Sequence, residues 1–275
     1  RLEEALAMYC IAQEANPRSN LSYQIADIYS AMGRIDLMYG EYLSMIEDNP
    51  NYLSSVRNML SRSVSTDPEN ENNVMLKEAL IQKIQETGAP EYSDLLTWVY
   101  VQEKNFDGAV RQGIALDRRL KGNQAEVYQL AQVCETNEAY DAALACFEYI
   151  IEDVGIDGPF YQVAEIGKLR VLQAQLDKNN QYTEADVLEL KSAYLKTIEE
   201  FGSSEYTVSL MRDLAHLEAF FLQNIDEAKR LLEEALEFNN ARPFDLAEVK
   251  LELADILLLQ GAEWDAILLY GQVEK

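Results

Sequence analysis

Ala5, Tyr9 and Ala12 return thirty-three positions later as Met38, Tyr42 and Met45, and each set runs on through four residues to a proline, Pro17 and Pro50. The same stem recurs as Ala143, Phe147 and Ile150, as Ala228, Leu232 and Ala235, and as Ala266, Tyr270 and Val273. A spacing of four and then three is the period of an α-helix, so the three side chains of a stem share one face. A small residue on that face lets a neighbouring helix approach, and the large one fills the space between neighbours. Repetition of this face along the chain means that each unit buries itself against the next.

The segment ahead of each stem repeats as well. Ile25-Ala26, Tyr29 and Gly33 precede Met38 in the same register as Leu253-Ala254, Leu257 and Gly261 precede Ala266. Leu96-Thr97 and Tyr100 lead to Phe106 and Ala109, and Leu130-Ala131 and Cys134 lead to Tyr140 and Ala143. The six prolines, Pro17, Pro50, Pro68, Pro90, Pro159 and Pro243, fall between amphipathic segments, where a missing N–H does least harm. Gly33, Gly88, Gly202 and Gly261 stand where helices are expected to end in a left-handed cap.

These paired segments resemble the tetratricopeptide repeat, a helix–turn–helix unit of about 34 residues. The resemblance implies an all-α, right-handed superhelical solenoid of antiparallel helix pairs, whose concave face is lined by the first helix of each pair. The units read as a partial repeat at 1–18, then 19–52, 53–89, 90–122, 123–158, 159–203, 204–242 and 243–275, all in one solenoid. The match is uneven: Met59-Leu60 and Leu76–Ile84 depart from the pattern. The pair at 159–203 is longer, with a polar turn at 177–182. Degenerate repeats with acidic, Asn-rich turns resemble those of bacterial cell-envelope or cytoplasmic proteins, a resemblance that leans towards the periplasm.

Charge narrows the partners. The 275 residues hold 23 Lys and Arg against 48 Asp and Glu, a formal net charge of -25. Nucleic acid and anionic membrane surfaces are disfavoured, since both require clustered cations. An acidic surface serves solubility in the plain reading; in the sharper one it forms a groove for a basic partner. No apolar run reaches the ~18 residues of a membrane span.

Catalytic signatures are missing from the sequence. There is no nucleophile elbow, no phosphate-binding glycine loop and no metal-ligand cluster, and no cofactor is expected. His216 is the single histidine and, by its place in a first helix, reads as a packed side chain in a slot for small residues. The run Asp67–Asn73 has the composition of a calcium loop without its alternation, and reads as a turn. Cys10, Cys134 and Cys146 fall in apolar helical patterns and read as buried thiols, although a bridge between Cys134 and Cys146 is geometrically conceivable.

The expected function is therefore a non-catalytic scaffold that binds a partner protein or peptide on the concave face. The alternative is a regulatory or structural repeat region of a larger protein, because both ends lie inside helical patterns. Chaperone-binding relatives of the repeat grip a C-terminal carboxylate with Lys and Asn on their first helices. The corresponding positions here are Tyr23 and Asp27, Asp94 and Trp98, and Tyr128 and Gln132. Aromatics beside carboxylates suit a basic or amphipathic segment instead, so these six are the expected partner-binding residues.

Overall fold

The computed structural model describes residues 1–16, 21–122, 124–178 and 182–273. Pro17, Lys275, the expected unit boundaries at 18/19 and 123 and part of the polar turn at 177–182 lie outside them. The chain is 81% helical with no strand among the described residues, so the all-α reading holds. Two compact units are present, residues 1–134 and 135–275, and the division falls inside one helix.

The first unit holds α1 (Leu2–Ala15), α2 (Ser22–Ala31), α3 (Ile35–Asp48), α4 (Leu53–Leu60), α5 (Glu71–Thr87), α6 (Pro90–Gln102), α7 (Phe106–Leu120) and most of α8 (Ala125–Thr136). The second holds α9 (Tyr140–Val154), α10 (Tyr161–Lys178), α11 (Glu184–Phe201), α12 (Val208–His216), α13 (Ile225–Leu236), α14 (Pro243–Leu259) and α15 (Glu263–Val273). Within the units, α2 packs on α3, α6 on α7, α12 on α13 and α14 on α15 as adjacent pairs. First helices also touch one another, α4 with α6, α10 with α12 and α12 with α14.

The internal stems are buried as their spacing demands, whereas Tyr9 and Ala12 of the first stem are exposed and Tyr270 of the last is half-buried. Met38, Ala109, Ala143, Ala228 and Ala266 are all enclosed, as are Tyr42, Phe147 and Leu232 at the large positions. Phe147 lies flat against Gly167 of α10: a Cβ built there would fall 2.5 Å from the ring. Tyr39, Tyr92 and Tyr194 are among the largest fully buried side chains. Each donates its phenol proton, Tyr39 to Ser63 Oγ at 3.1 Å, Tyr92 to the Leu43 carbonyl at 3.2 Å and Tyr194 to the Leu169 carbonyl at 3.4 Å. Burial pushes the Tyr92 phenol up to about 12, so the hydroxyl stays a donor. Burying one such ring contributes about 1.5–3 kcal/mol.

In five of the pairs the turn is set by one backbone torsion. Gly33, Lys104, Glu138, Gln223 and Gly261 all have positive φ, between 54° and 77°. Each stands five residues ahead of a stem. After it, Arg34 N donates to the Tyr29 carbonyl, Asn105 N to Tyr100 and Ala262 N to Leu257, closing the first helix in the same way three times. Asn105 then caps α7 by accepting from Gly108 N at 3.0 Å.

Two departures from the regular pattern carry polar chemistry. The run Asp67–Asn73 is a turn, with Asn70 capping α5 and Asp67 accepting from Glu69 N. Asn73 is buried, bonds both ways with the Ser65 backbone, and donates to Glu103 Oε1 at 3.0 Å. The Glu103 carboxylate is wholly enclosed and paired with Lys77 Nζ at 2.8 Å.

The second departure is a π-helical turn at Leu217–Phe221 directly after α12. There the closing bond runs from Asn224 N to Glu218 O, one residue further back than in the other turns. One extra residue is accommodated in the helix, so Ala215, not His216, fills the slot taken by Ala26, Ala131 and Ala254 elsewhere. The expected packing of His216 in that slot is thereby corrected. Cys134 and Cys146 are both buried thiols, and Cys10 is partly exposed.

Candidate functional site

The sequence of α6 sorts its side chains by period. Pro90 opens the helix at a position that needs no N–H. Tyr92, Leu95, Leu96 and Val99 then face the core, while Glu91, Asp94 and Trp98, three and four apart, share the opposite face. That face forms one wall of a groove of about 440 Å³ between α4, α6, α7 and α8. Leu53 and Arg57 come from α4, Leu116 and Leu120 from α7, and Glu126, Leu130 and Val133 from α8.

Two glycines permit this arrangement. A Cβ on Gly113 of α7 would stand 3.0 Å from the Leu130 side chain, so glycine sets how near α7 comes to α8. A Cβ on Gly122 would collide with the Asp117 carboxylate at 2.1 Å. That carboxylate instead accepts from Gln124 N at 3.2 Å and holds the turn into α8.

The groove is apolar on its floor and acidic on its walls. Leu120 and Val133 are exposed, and Trp98 is half-buried. Glu91, Asp94, Asp117 and Glu126 line the groove together with one guanidinium, Arg57, whose Nη2 lies 2.6 Å from Asp94 Oδ2. Burial raises the Asp94 carboxyl above its ordinary range even though Arg57 pulls it down. Arg57 Nε is buried with no acceptor. The groove thus offers an aromatic face and a carboxylate whose charge is partly answered.

Of the six residues expected from sequence, the groove brings together Asp94 and Trp98. Tyr23 and Asp27 are exposed on α2 and lie near Tyr42, whose phenol is raised by burial first and then by Asp27 and Tyr23. Tyr128 and Gln132 lie on α8, but Gln129 and Val133, one position on, line the groove. Arg57, Leu116 and Leu120 were not anticipated. The signal available was the apolar-to-basic spacing Leu53 to Arg57 on one face of a short helix.

The second unit carries a row of ion pairs on successive first helices. Arg170 of α10 binds Glu135 through two nitrogens, with Nη2 at 2.7 Å. Arg212 of α12 bridges Asp213 and Glu248, the latter at 3.0 Å. His216, turned outward by the π-helical turn, places Nδ1 2.8 Å from Glu252 and Nε2 3.7 Å from Asp177, with its ring over Phe220 at 4.6 Å. Burial opposes the charged ring, but the carboxylates of Asp177 and Glu252 beside it outweigh that and raise the imidazole to about 9. Glu218 is buried and paired with Lys191 at 2.6 Å.

No protein-family model matches the sequence, and no curated protein is similar to it. Similar solved structures include BtubC (BKLC) from P. vanneervenii, at 14% identity over 85% of this chain and 89% of that one, with a TM-score of 0.50. They also include a tetratricopeptide repeat protein from Parabacteroides merdae, at 13% identity over 92% and 91% with a TM-score of 0.45. Yeast Tom70 is similar at 16% identity over 99% of this chain and 54% of that one, with a TM-score of 0.45. At these identities the likeness is one of fold alone: the chain is an all-helical protein built of adjacent helix pairs. Among the described residues no helix is long and apolar enough to cross a membrane.

Proposed function

We propose that this chain is a non-catalytic protein-interaction scaffold, and that the groove of α4, α6, α7 and α8 receives a basic, amphipathic segment of a partner protein. The observation that carries this reading is the groove's composition: apolar side chains and Trp98 lined together with four carboxylates and one guanidinium. Apolar side chains of the segment would cover Leu120 and Val133. Lys or Arg would meet Glu91, Glu126 and the face of Trp98. Tyr23 and Asp27, on α2, form a separate acidic and aromatic cluster that a longer segment of the same chemistry would reach last.

A direct test uses two designed peptides of equal length, one of alternating Leu and Lys faces and one with Glu in place of Lys. Trp98 fluorescence reports binding in a Trp264→Phe background. The Leu/Lys peptide is expected to bind, more weakly as salt rises, because exposed charge pairs are screened over about 8–10 Å at moderate ionic strength. Trp98→Ala should cost about 2 kcal/mol or more, as an aromatic anchor does; that variant needs calorimetry, since it removes the reporter. Equal binding of both peptides, or none of the Leu/Lys peptide, would refute the reading.

A further inference from the structure

The pair of α10 and α11 is looser than the regular pairs, and the difference opens a second groove. α10 ends at Lys178 and α11 begins at Glu184, which leaves five residues for the connection where α2/α3, α6/α7, α8/α9 and α14/α15 leave three. The small slot of a stem is alanine on α7, α9, α13 and α15 and the flexible Met38 on α3. On α11 the same spacing, ahead of the buried Tyr194 and Thr197, puts the branched Leu190 there. A larger side chain at the contact holds two helices apart. Accordingly, α10 and α11 approach along less of their length than α2/α3, α6/α7 and α14/α15 do. A groove of about 830 Å³ lies along them, with Tyr140 of α9 and Tyr182 at the end where α10 terminates.

The groove has two lips of opposite sign. Lys168, Gln175 and Lys178 line it along α10, and Asp186 and Glu189 line it along α11. Leu172, Leu176, Leu190 and Ala193 supply its apolar surface. By helical phase Lys168, Leu172 and Gln175 fall on the side of α10 opposite Arg170 and Asp177, so the groove opens away from the row of ion pairs. The donors on α10 are held by α9. Lys168 Nζ lies 3.4 Å from Glu148, and Gln175 donates to Asp141 at 3.0 Å. Lys178 pairs with Glu138, its Nζ 5.6 Å from the centre of the Tyr140 ring. Solvent-accessible ion pairs of this kind contribute little to stability, so both ammonium groups can turn into the groove at small cost. The ten positions from Lys168 to Lys178 span about 15 Å, nearly three helical turns.

We propose that this groove receives an amphipathic α-helix of a partner protein, its apolar face bordered by carboxylates along one edge and by lysines or arginines along the other. An apolar floor walled by two helices accepts the ridges of a third. Opposite charges on the two lips answer opposite charges on the two edges. A helix cationic on both edges would set one of them against Lys168 and Lys178. This separates the occupant from the basic segment proposed for the groove of α4, α6, α7 and α8, and the two sites stand independently. Turning a helix end for end exchanges its edges, so the lips also fix the direction in which it lies.

Fluorescein-labelled helical peptides of equal length and the same Leu face test this by anisotropy with the whole chain. One carries a Glu edge and a Lys edge; the other carries Lys on both. Glu189→Lys changes an exposed side chain. It should weaken the mixed-edge peptide at least fivefold and leave the Lys-edged peptide unchanged. Trp98→Ala should do the reverse, so the two grooves succeed or fail separately. Lys168→Gln with Lys178→Gln should weaken the mixed-edge peptide at least threefold. Circular dichroism checks that the variants fold; should Glu189→Lys lose helicity, Glu189→Gln supplies the milder test, with binding at least twofold weaker. A nitroxide at the amino end of the mixed-edge peptide should broaden amide signals at one end of α11, and at the other end when the two edges are exchanged. Absence of mixed-edge binding at about 100 μM overturns the proposal. So does unchanged mixed-edge binding in a folded lip variant, or broadening at the same end for both edge arrangements.

Discussion

Replacing Gly167 by Ala separates two opposed effects at one site. An ideal Cβ at Gly167 lies 2.5, 2.7 and 3.0 Å from three ring atoms of Phe147. Carbon atoms rest about 3.5–4.0 Å apart, so the ring must withdraw by roughly 1 Å. Phe147 has no exposed surface to move into. Overpacking of this kind costs about 1–3 kcal/mol. Against it, Ala favours the interior of α10 over Gly by about 0.8–1.0 kcal/mol. The net expectation is a loss of about 0–2 kcal/mol. Gly40 of α3 is a control for the same chemical change, because a Cβ there meets nothing within 4 Å. Gly40→Ala should stabilise by about 0.5–1 kcal/mol. Urea unfolding followed by circular dichroism gives both values from the midpoints. In the double variant Gly167→Ala with Phe147→Leu the smaller side chain makes room, and a coupling of at least ~1 kcal/mol should appear. Gly167→Ala stabilising as much as Gly40→Ala would refute the packing argument.

Three further outcomes follow from particular residues. His216 is raised from 6.5 to about 9 in the folded chain. Its stabilising contribution is therefore complete below about pH 6.5 and is lost as pH rises through 9. His216→Gln should flatten that part of the urea-midpoint profile between pH 6 and 10 relative to the parent. Lys77→Met strands the enclosed Glu103 carboxylate and should cost about 3–5 kcal/mol, much of it recovered when Glu103→Gln is added, as thermal melting would show. Thr183 and Asp186 form a reciprocal capping box at the start of α11. Thr183→Ala should therefore cost about 1 kcal/mol, and faster amide hydrogen exchange in the first turn of α11 would report it.

The helices were legible because their apolar residues recur every three and four positions, and the stems because a small residue must sit where helices touch. Ala143 and Phe147 are enclosed just as that spacing requires. His216 was not legible. Counting back from Ala228 lands on it only if the intervening helix is regular, and the π-helical turn at Leu217–Phe221 adds one residue. No single residue type marks such an insertion; it emerges from the competition between two stems that must both be buried. The groove was legible in part, through Asp94 and Trp98 on one helix. Its other walls depend on how far α8 is rotated against α7, and so on the contact that Gly113 permits with Leu130. A choice between residues one position apart, Tyr128 or Gln129, is decided by that rotation rather than by composition.

The left-handed residue five places ahead of five of the stems has a consequence for how such a chain can be recombined. Gly33, Lys104, Glu138, Gln223 and Gly261 place the backbone in the same torsional well, whatever their side chains. Phase from one helix to the next is thus reset at every one of these hinges and is not inherited from the length of the helix before. The extra residue before Gln223 demonstrates this: it is absorbed upstream, and Ala228 still enters the core in step. Cassettes cut and rejoined at these five points would keep their periodic alignment even when the swapped pieces differ in length. A deletion between a hinge and its stem would throw the following helix out of step by about 100° per residue.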